Sequence, residues 1–223
     1  MDTSIVKRVY LFSTLDDDTL GKIAGIVCER SYKKNEMIFF EGDPGEAVHF
    51  VEKGKVKIYK INSGGKEQII HIMQDGDVFA ESVLFTGLDY PANAEALEDS
   101  VIGVLKCDKL EELIMENSGL AVSIINFMGR RLQFVSGQIE NLGLKDVMGR
   151  VASVIVGLAD KGAYTPKGIM TDFALSRQEV AGLAGTTRET ATRVLSALQK
   201  QGCINIEKDK LYIKDIKKLK GLY

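Results

Sequence analysis

The stretch SGLAVSIINFMGRRLQFVSGQIENLGL, from Ser118 to Leu144, determines how this chain is organised. Within it, apolar residues recur at alternating intervals of four and three, which is the heptad pattern of a helix with one narrow apolar face. The residues of this heptad seam are Ala121, Ile125, Met128, Leu132, Val135, Ile139 and Leu142. So narrow a face favours pairing with a second copy of the same helix, and we therefore predict a dimer interface. Packing of the helix on the core of its own domain is the alternative.

The length and composition are those of a globular protein. With 223 residues, of which 45% are apolar and 27% charged, the chain can form two domains with hydrophobic cores. It contains neither a run of 18 apolar residues nor a basic and then apolar N-terminal segment, so we expect a cytoplasmic protein without a membrane span or signal peptide. Cys28, Cys107 and Cys203 lack Cys-x-x-Cys spacing, and we expect reduced thiols.

Residues 31–107 have the pattern of an all-β domain. Short apolar or alternating runs, such as residues 37–40 and 56–59, are separated by turn sequences such as Gly42-Asp43-Pro44-Gly45. Strands this short, with turns this close together, predict a β-roll or barrel. The preceding residues 6–30 predict one or two short helices.

The interior of a β-roll is either filled by side chains or encloses a ligand. The irregular segment 76–93 mixes polar groups with large apolar ones, and we predict that it lines an effector cavity. The candidate lining residues are Phe50, Ile72, Phe79, Glu81, Ser82, Leu84, Tyr90 and Asn93, together with Met128 and Leu132 of the long helix. Glu81 is the main candidate, because a buried carboxylate among apolar neighbours requires a partner. A solvent-exposed turn residue is the alternative.

His49 and His71 are the only two histidines, and each lies within an apolar run. They suggest a metal or haem site, but a packed or surface histidine is commoner on a strand, and no further ligands lie nearby in the sequence. The sequence contains no nucleophile elbow, P-loop or His-Glu-x-x-His motif. We therefore expect neither a metal site nor an enzyme.

The last third of the chain predicts a different domain. Residues 146–160 have the apolar spacing of a helix, and residues 169–173 that of a short strand. After Gly202, residues 204–213 alternate between apolar and polar types around a charged turn, which predicts a β-hairpin.

Two capping boxes lie between that strand and that hairpin. Ser176 with Glu179, and Thr186 with Glu189, each have the spacing that begins a helix. Gly185 lies between the two predicted helices, where a helix-turn-helix requires a tight turn. Together with the hairpin, they predict a winged helix-turn-helix.

The charge of the chain is asymmetric. From residue 146 onwards there are 13 Lys and Arg residues against 8 Asp and Glu, a net charge of +5, whereas the remainder carries −7. A basic half with a helix-turn-helix predicts DNA binding, with Arg188, Glu189 and Arg193 reading base edges. The predicted phosphate and sugar contacts are Ser176, Arg177, Thr186, Thr187, Thr190, Thr192, Lys208, Lys210 and Lys214. An ordinary solvated helix face is the alternative.

The order of these parts and several of their sequences resemble the Crp/Fnr family of bacterial transcription regulators, across essentially the whole chain. The matching sequences are GDP (42–44), HFVEKGKV (49–56), GDVFAE (76–81), GRRL (129–132), SRQE (176–179) and GTTRETATR (185–193). The resemblance implies an α+β chain with three parts: an effector-sensing β-roll of the double-stranded β-helix or jelly-roll type (1–117), a dimerisation helix (118–145) and a winged helix-turn-helix DNA-binding domain (146–223).

The resemblance also implies the partners. The family's base-reading triplet Arg-Glu-x-x-x-Arg falls on Arg188, Glu189 and Arg193, and it is similar to the catabolite-activator version. This implies a homodimer that binds double-stranded DNA at a palindrome with TGTGA-like half-sites one helical turn apart, and that contacts RNA polymerase.

The effector is the least determined part of the resemblance. In relatives that bind cyclic nucleotides, a Gly-Glu pair and an Arg-Ser pair hold the phosphate. Here Ala80-Glu81 keeps the glutamate, but Tyr90-Pro91 stands where the Arg-Ser pair would be, so the phosphate lacks a counter-charge. We therefore expect weak or absent binding of cyclic AMP.

Several alternatives for the signal stay open. The N-terminal cysteine cluster of the oxygen sensors has no counterpart, so no iron–sulfur cluster is expected, and haem held by His71 or His49 is a minor alternative. A small organic or redox ligand is another. A ligand-independent regulator with a filled roll, or an enzyme or chaperone with a similar roll, would be a different class of protein.

Overall fold

The computed structural model describes residues 1–65, 67–144, 146–159, 162–172, 175–207 and 210–222, with the side chains of all of these except Phe134, residues 137–144 and Asp172. The chain forms two compact units. The first comprises Met1–Lys66 and Ile70–Leu132, and the second comprises Glu67–Ile69 and Gln133–Tyr223. Within the described ranges, no helix combines the length and the apolar character that crossing a membrane requires.

Two short helices open the first unit, α1 (Thr3–Arg8) and α2 (Asp17–Ile26). Each follows an aspartate whose side chain accepts a backbone N–H of the first turn: Asp2 accepts from Ser4 at 2.8 Å, and Asp16 accepts from Thr19 at 2.9 Å. These caps satisfy amides that the helix itself leaves without a partner. The apolar sides of both helices are buried.

The β-roll that follows has eight strands in two four-stranded sheets, ordered β1-β8-β3-β6 and β2-β7-β4-β5. The strands are β1 (Cys28–Tyr32), β2 (Met37–Phe39), β3 (Ala47–Lys53), β4 (Val56–Ile61), β5 (Glu67–Met73), β6 (Val78–Phe79), β7 (Asn93–Ala96) and β8 (Ser100–Lys106). Neighbouring strands pair antiparallel, for example β3 with β8 and β4 with β7. The predicted β-roll is thus confirmed.

Two hydrophobic clusters fill the first unit. One contains Phe50 and includes the apolar sides of α1 and α2. The other contains Val51, Val56 and Phe79. Gly103 on β8 allows close packing in the first cluster, because a Cβ atom there would come within 2.1 Å of the Phe50 ring.

Three helices complete the first unit, α3 (Val83–Thr86), α4 (Cys107–Glu116) and the start of α5 (Ser118–Leu144). Asn117 begins α5, because its Oδ1 accepts the N–H of Leu120 at 2.9 Å. Leu120 and Ile124 are buried in the cluster that contains Phe50, so the first turns of α5 pack on their own unit. The predicted single long helix is confirmed, and it spans the stretch 118–144 that has the heptad pattern.

The second unit is a winged helix-turn-helix, as predicted. Its elements are α6 (Val147–Ala159), β9 (Ala163–Thr165), β10 (Gly168–Asp172), α7 (Arg177–Leu183), α8 (Arg188–Lys200), β11 (Ile204–Glu207), β12 (Lys210–Ile213) and α9 (Ile216–Lys220). The strands form one sheet in the order β11-β12-β10-β9, and α6 packs against α7, α8 and α9. The α+β fold class therefore holds for the whole described chain.

Candidate nucleic-acid interface and effector pocket

The first helix of the helix-turn-helix begins at a capping box. The Ser176 hydroxyl accepts the N–H of Glu179 at 3.2 Å, and the Glu179 carboxylate accepts the N–H of Ser176 in return. This reciprocal pair satisfies two amides at the start of α7. The first predicted capping box is therefore confirmed.

The turn between the two helices is a Schellman motif. Gly185 adopts a φ of 60°, and its N–H donates to the carbonyl of Gly182, while the N–H of Thr186 donates to the carbonyl of Ala181 at 2.9 Å. This is the pattern in which a left-handed residue ends a helix, and glycine adopts it without steric cost. Thr186 consequently belongs to the end of α7.

The prediction that Thr186 and Glu189 form a second capping box is wrong by one residue. The N-cap of α8 is Thr187, whose hydroxyl accepts the N–H of Thr190 at 3.3 Å. The reason is the Schellman motif, which uses Thr186 to close the preceding helix. Glu189 is therefore the second residue of α8, and its carboxylate does not cap the helix.

The three predicted base-reading residues lie on the exposed face of α8. Arg188 and Glu189 are in its first turn, and Arg193 is four residues after Glu189 on the same side. All three side chains are exposed, and within the described residues they make no hydrogen bond or ion pair. The opposite face is buried in the domain through Ala191, Val194, Leu195 and Leu198. The geometry thus leaves two guanidinium groups and a carboxylate directed away from the core.

The residues predicted to contact phosphates differ in the hydrogen bonds that their hydroxyl groups already make within the protein. The Thr187 and Thr190 hydroxyls share a hydrogen bond of 3.0 Å, and the Thr192 hydroxyl donates to the carbonyl of Arg188 at 2.8 Å. The hydroxyl of Ser176 accepts the cap bond, which leaves its proton available for a phosphate oxygen.

The predicted basic contacts also differ in their surroundings. Lys210, at the start of β12, and Lys214 are exposed, whereas Arg177 at the start of α7 is half-buried. Burial lowers the pKa of the Arg177 guanidinium. The remaining predicted basic contact, Lys208, lies outside the described residues.

In the β-roll, Glu81 has a partner. Its Oε1 accepts a hydrogen bond from Nε of Arg131 on α5 at 2.8 Å, and the two side chains are only 13% and 26% exposed, respectively. A charge-assisted bond of this length in a partly buried position is among the stronger polar contacts that a protein makes. The interpretation of Glu81 as a carboxylate that requires a partner thus agrees with its surroundings, and the solvent-exposed alternative does not.

Ala80, which precedes Glu81, adopts a φ of 59°. This left-handed conformation is unfavourable for a residue with a Cβ atom. The cyclic-nucleotide binders have glycine at the corresponding position of the Gly-Glu pair. The chain therefore has an alanine in a left-handed conformation at the position where the resemblance places a glycine.

A cluster of rings occupies the interior of the roll beside this turn. Tyr90 stacks on Phe39 with ring centroids 3.9 Å apart, and His49 stacks on Phe79 at 5.2 Å. Phe39 also contacts His49 at 5.3 Å, so the four rings form one group, which we call the ring cluster. All four side chains are buried.

The polar groups of two predicted lining residues are used within the roll. The Tyr90 hydroxyl donates to the Ala47 carbonyl at 3.1 Å and accepts the Ala47 N–H at 3.3 Å. The Asn93 amide accepts the N–H of Glu41 and donates to the carbonyl of Tyr59. These bonds fix the two side chains as parts of the fold.

The other predicted lining residues are dispersed. Phe50 and Leu84 belong to the cluster with α1 and α2, whereas Phe79 and Tyr90 belong to the second cluster. Ile72 and Ser82 are half-buried, and Met128 packs partly against the first cluster. Phe39, His49 and Arg131 were not among the candidates. His49 lies opposite Phe79 because of the register in which β3 pairs with β6, and the sequence does not reveal this register.

His49 is buried with its Nδ1 lacking a hydrogen-bond partner in the described structure. Burial, and to a smaller extent the positive charge of Arg30, lowers the pKa of His49 to about 4. The imidazole is therefore neutral at pH 7. It contacts the rings of Phe39, Phe79 and Tyr90, so it acts as a packing residue in the roll.

The heptad seam is exposed along part of α5. Ile125 and Leu132 are each 69% exposed and Val135 is 46% exposed, whereas Ala121 and Met128 are half-buried. The predicted seam residues Ile139 and Leu142 lie outside the described side chains. Large apolar side chains recurring on one exposed face of a helix indicate a surface that another protein surface covers.

A β-roll, a long helix with an exposed apolar face and a winged helix-turn-helix are the parts of a two-domain DNA-binding regulator. Residues 29–117 match the cyclic nucleotide-binding domain family, and residues 149–222 match the Crp-like helix-turn-helix domain family. The global nitrogen regulator of Nostoc sp. is 30% identical over 186 residues, which cover 82% of this chain and 83% of that protein. The chain belongs to the Crp/Fnr family of transcriptional regulators.

Two further relatives are similar along most of their length. The cyclic AMP receptor protein of Thermus thermophilus is 28% identical over 201 residues, which cover 90% of each chain. The solved structure of FixK2 from Bradyrhizobium japonicum has a TM-score of 0.79 and 29% identity, and the match covers 88% of this chain and 97% of that one. These relatives support a DNA-binding transcriptional regulator, a class of protein that is not enzymatic.

Proposed function

We propose that this protein is a homodimer that binds a two-fold symmetric DNA site with TGTGA-like half-sites one helical turn apart. The observation that carries the proposal is the exposed trio of Arg188, Glu189 and Arg193 on α8. An arginine can donate two hydrogen bonds to O6 and N7 of guanine, and a glutamate can accept one from N4 of cytosine. The two G·C pairs of a TGTGA half-site present both of these bases.

Dimerisation through the heptad seam would explain the symmetry of the site. Two recognition helices related by a two-fold axis bind half-sites that are inverted copies of each other. The exposed Ile125, Leu132 and Val135 supply the apolar surface that such a seam requires. RNA polymerase would be a further partner of the DNA-bound dimer.

The experiment that tests the proposal is selection of bound sequences from a random DNA library. We expect enrichment of an inverted repeat with a TGTGA-like core, and enrichment of an unrelated core would refute the proposed readout. Arg188→Ala should cost about 1–3 kcal/mol and relax the preference for one base pair of each half-site. Lys210→Ala is the matched control: removal of a phosphate contact should weaken binding about equally on all sequences.

An effector in the roll would regulate the dimer by favouring one of two states. A ligand near Glu81 and Tyr90 that bound one arrangement of the paired helices more tightly would shift the population toward it, and so toward one spacing of the recognition helices. We propose that the ligand is not cyclic AMP, because Tyr90-Pro91 supplies no counter-charge for a phosphate and Glu81 already pairs with Arg131. Adding cyclic AMP should change the affinity for the selected DNA less than twofold.

A ligand-independent regulator is the second candidate function, and the ring cluster favours it. Phe39, His49, Phe79 and Tyr90 fill the interior with stacked rings, and the Tyr90 hydroxyl has both a donor and an acceptor partner. Protein purified under mild conditions should then contain no stoichiometric small molecule by mass spectrometry and should still bind the selected DNA. A co-purifying molecule whose removal abolishes DNA binding would favour the effector-responsive form.

A further inference from the structure

A second basic surface lies on the winged helix-turn-helix, separate from the residues proposed to read bases. Residues 214–220 (KDIKKLK) contain four lysines and one aspartate. We call the surface formed by Lys214, Lys217, Lys218 and Lys220 the α9 patch. Asp215 is the N-cap of α9, and its Oδ1 accepts the N–H of Lys218 at 2.9 Å. The only carboxylate of the segment is therefore held at the start of the helix, and the segment carries a net charge of +3.

Packing and backbone hydrogen bonds hold the α9 patch in a fixed position on its domain. Leu219 is fully buried, and α9 packs against α6. The backbone N–H groups of Lys214 and Asp215 both donate to the carbonyl of Cys203, at 2.9 and 3.2 Å. The segment is thus tied to the domain at both ends, while all four lysine side chains are exposed.

The charges of the α9 patch are not neutralised within the described part of the chain. None of its four lysines has a carboxylate within 4.0 Å there, and Lys218 donates instead to the carbonyl of Gln201 at 3.1 Å. Three exposed lysines of the first unit differ in this respect: Lys33 pairs with Asp99, Lys60 with Glu41 and Lys109 with Glu112. Four like charges within seven residues repel one another, and an external polyanion relieves that repulsion.

The position of the α9 patch identifies which part of a bound DNA it can reach. Gln201 is the C-cap of α8, so the bond from Lys218 places the patch at that end of α8. A helix of 13 residues is about 20 Å long, whereas the major groove that receives the start of α8 is about 12 Å wide. With α8 entering the groove by its first turn, the patch at the far end of the helix would lie outside the groove that Arg188 and Glu189 would occupy.

We infer that the α9 patch binds the sugar–phosphate backbone of the DNA that flanks each half-site. The inference rests on the proposed function, because it takes α8 to be in the major groove. Lysine suits this role as a flexible point charge that binds phosphates without reading sequence. The flanks would thus contribute affinity, and a salt-dependent part of it, without contributing specificity.

The test compares two duplexes with the same pair of half-sites. One duplex ends at the outer edges of the half-sites, and the other extends about 10 bp, one helical turn, on each side. The full chain is compared with the variant Lys217→Gln/Lys218→Gln/Lys220→Gln over a range of salt concentrations. The matched control is Lys33→Gln/Lys60→Gln/Lys109→Gln, which removes the same charge from ion-paired lysines of the first unit.

We expect the unmodified protein to bind the long duplex more tightly and with a steeper salt dependence than the short one. The α9 variant should lose roughly tenfold in affinity for the long duplex near 0.15 M salt, and its log–log salt slope should be shallower by about 0.9 for each phosphate that it no longer neutralises. Its affinity for the short duplex should change less than twofold, and the control variant should behave like the unmodified protein.

Three results would overturn the inference. The α9 variant could keep the full difference between the duplexes, or it could weaken equally on both, which would show that the flanks are not what the patch contacts. Normal DNA binding with reduced transcription by purified RNA polymerase would assign the patch to an acidic protein surface instead. A different result would show that the proposed function itself is wrong. In that case the unmodified protein would bind the short duplex no more tightly than a duplex with scrambled half-sites.

Discussion

At the scale of single residues, the ion pair between Glu81 and Arg131 limits which ligands the roll can bind. An anionic ligand at Glu81 would have to displace the carboxylate from Arg131, because the two atoms are 2.8 Å apart and both side chains are largely buried. Leaving one member of such a pair without its partner costs more than the pair itself contributes. A neutral ligand, or no ligand at all, is therefore easier to reconcile with this pair than a phosphate.

His49 makes the stability of the roll dependent on pH. Its pKa of about 4 in the folded protein lies below the ordinary value of 6.5, so the unfolded chain binds a proton more readily. The neutral ring contributes full stability above about pH 6.5, and this contribution is lost as the pH falls toward 4. The loss should be about 2 kcal/mol between pH 7.5 and pH 5.

The measurement is urea unfolding at the two pH values. His49→Phe keeps an aromatic ring beside Phe39 and Phe79 but cannot titrate, so its free energy of unfolding should fall less on acidification. His71→Gln removes the other histidine and should keep the wild-type difference. Equal pH dependence of His49→Phe and the unmodified protein would contradict the assignment.

Glycine should be more favourable than alanine for stability at position 80. Its φ of 59° costs about 1 kcal/mol or more in a residue with a Cβ atom, which exceeds the additional backbone entropy that glycine loses on folding. Ala80→Gly should therefore raise the free energy of unfolding, by up to about 1 kcal/mol. Ala96→Gly, at a buried position of β7 with ordinary backbone angles, is the control and should lower it. Destabilisation by both substitutions would show that the left-handed conformation carries no strain.

Among the elements, the turn between α7 and α8 shows the limit of reading caps from a sequence. Thr186 and Thr187 are both good cap residues, and Glu189 gives the first of them the capping-box spacing. The choice is made by Gly185, whose left-handed backbone ends α7 and ties the N–H of Thr186 to that helix. One glycine thus shifts the start of α8 by one residue and frees Glu189 from a capping role.

Thr187→Ala should therefore cost about 1 kcal/mol of stability in the second unit, whereas Thr186→Ala should be nearly neutral. The physical difference is that Thr187 contributes its side chain to the cap, but Thr186 contributes only its backbone N–H. Thermal unfolding of the two variants measures this directly. A larger loss for Thr186→Ala would mean that Thr186, and not Thr187, caps α8.

For the molecule as a whole, the sequence predicted the secondary-structure elements better than the contacts between their side chains. Helix α5, the roll and the wing follow from the spacing of apolar residues and turns along the chain, which are local properties. The ring cluster depends instead on which strands face each other, as for His49 and Phe79, and a shift of one residue would reverse every side chain. Arg131 illustrates the same limit, because the heptad pattern does not reveal which flank of α5 faces Glu81.

Dimerisation and DNA binding should fail together when the heptad seam is weakened. Leu132 is 69% exposed, and a two-fold interface would bury it twice, so Leu132→Ala removes two buried side chains for one substitution. Burial of a leucine side chain contributes about 1.5–3 kcal/mol, so the dissociation constant of the dimer should rise roughly a hundredfold or more. Sedimentation measures this constant.

The same variant separates assembly from base recognition. Met115→Ala, which truncates a still more exposed apolar residue on α4, is the control and should leave the dimer unchanged. Because a monomer carries one recognition helix, Leu132→Ala should lose affinity for the full palindrome and keep its affinity for a single half-site. An unchanged sedimentation coefficient would mean that Leu132 lies outside the interface. Equal losses on the palindrome and the half-site would mean that α5 affects the recognition helix itself and not only the pairing of two copies.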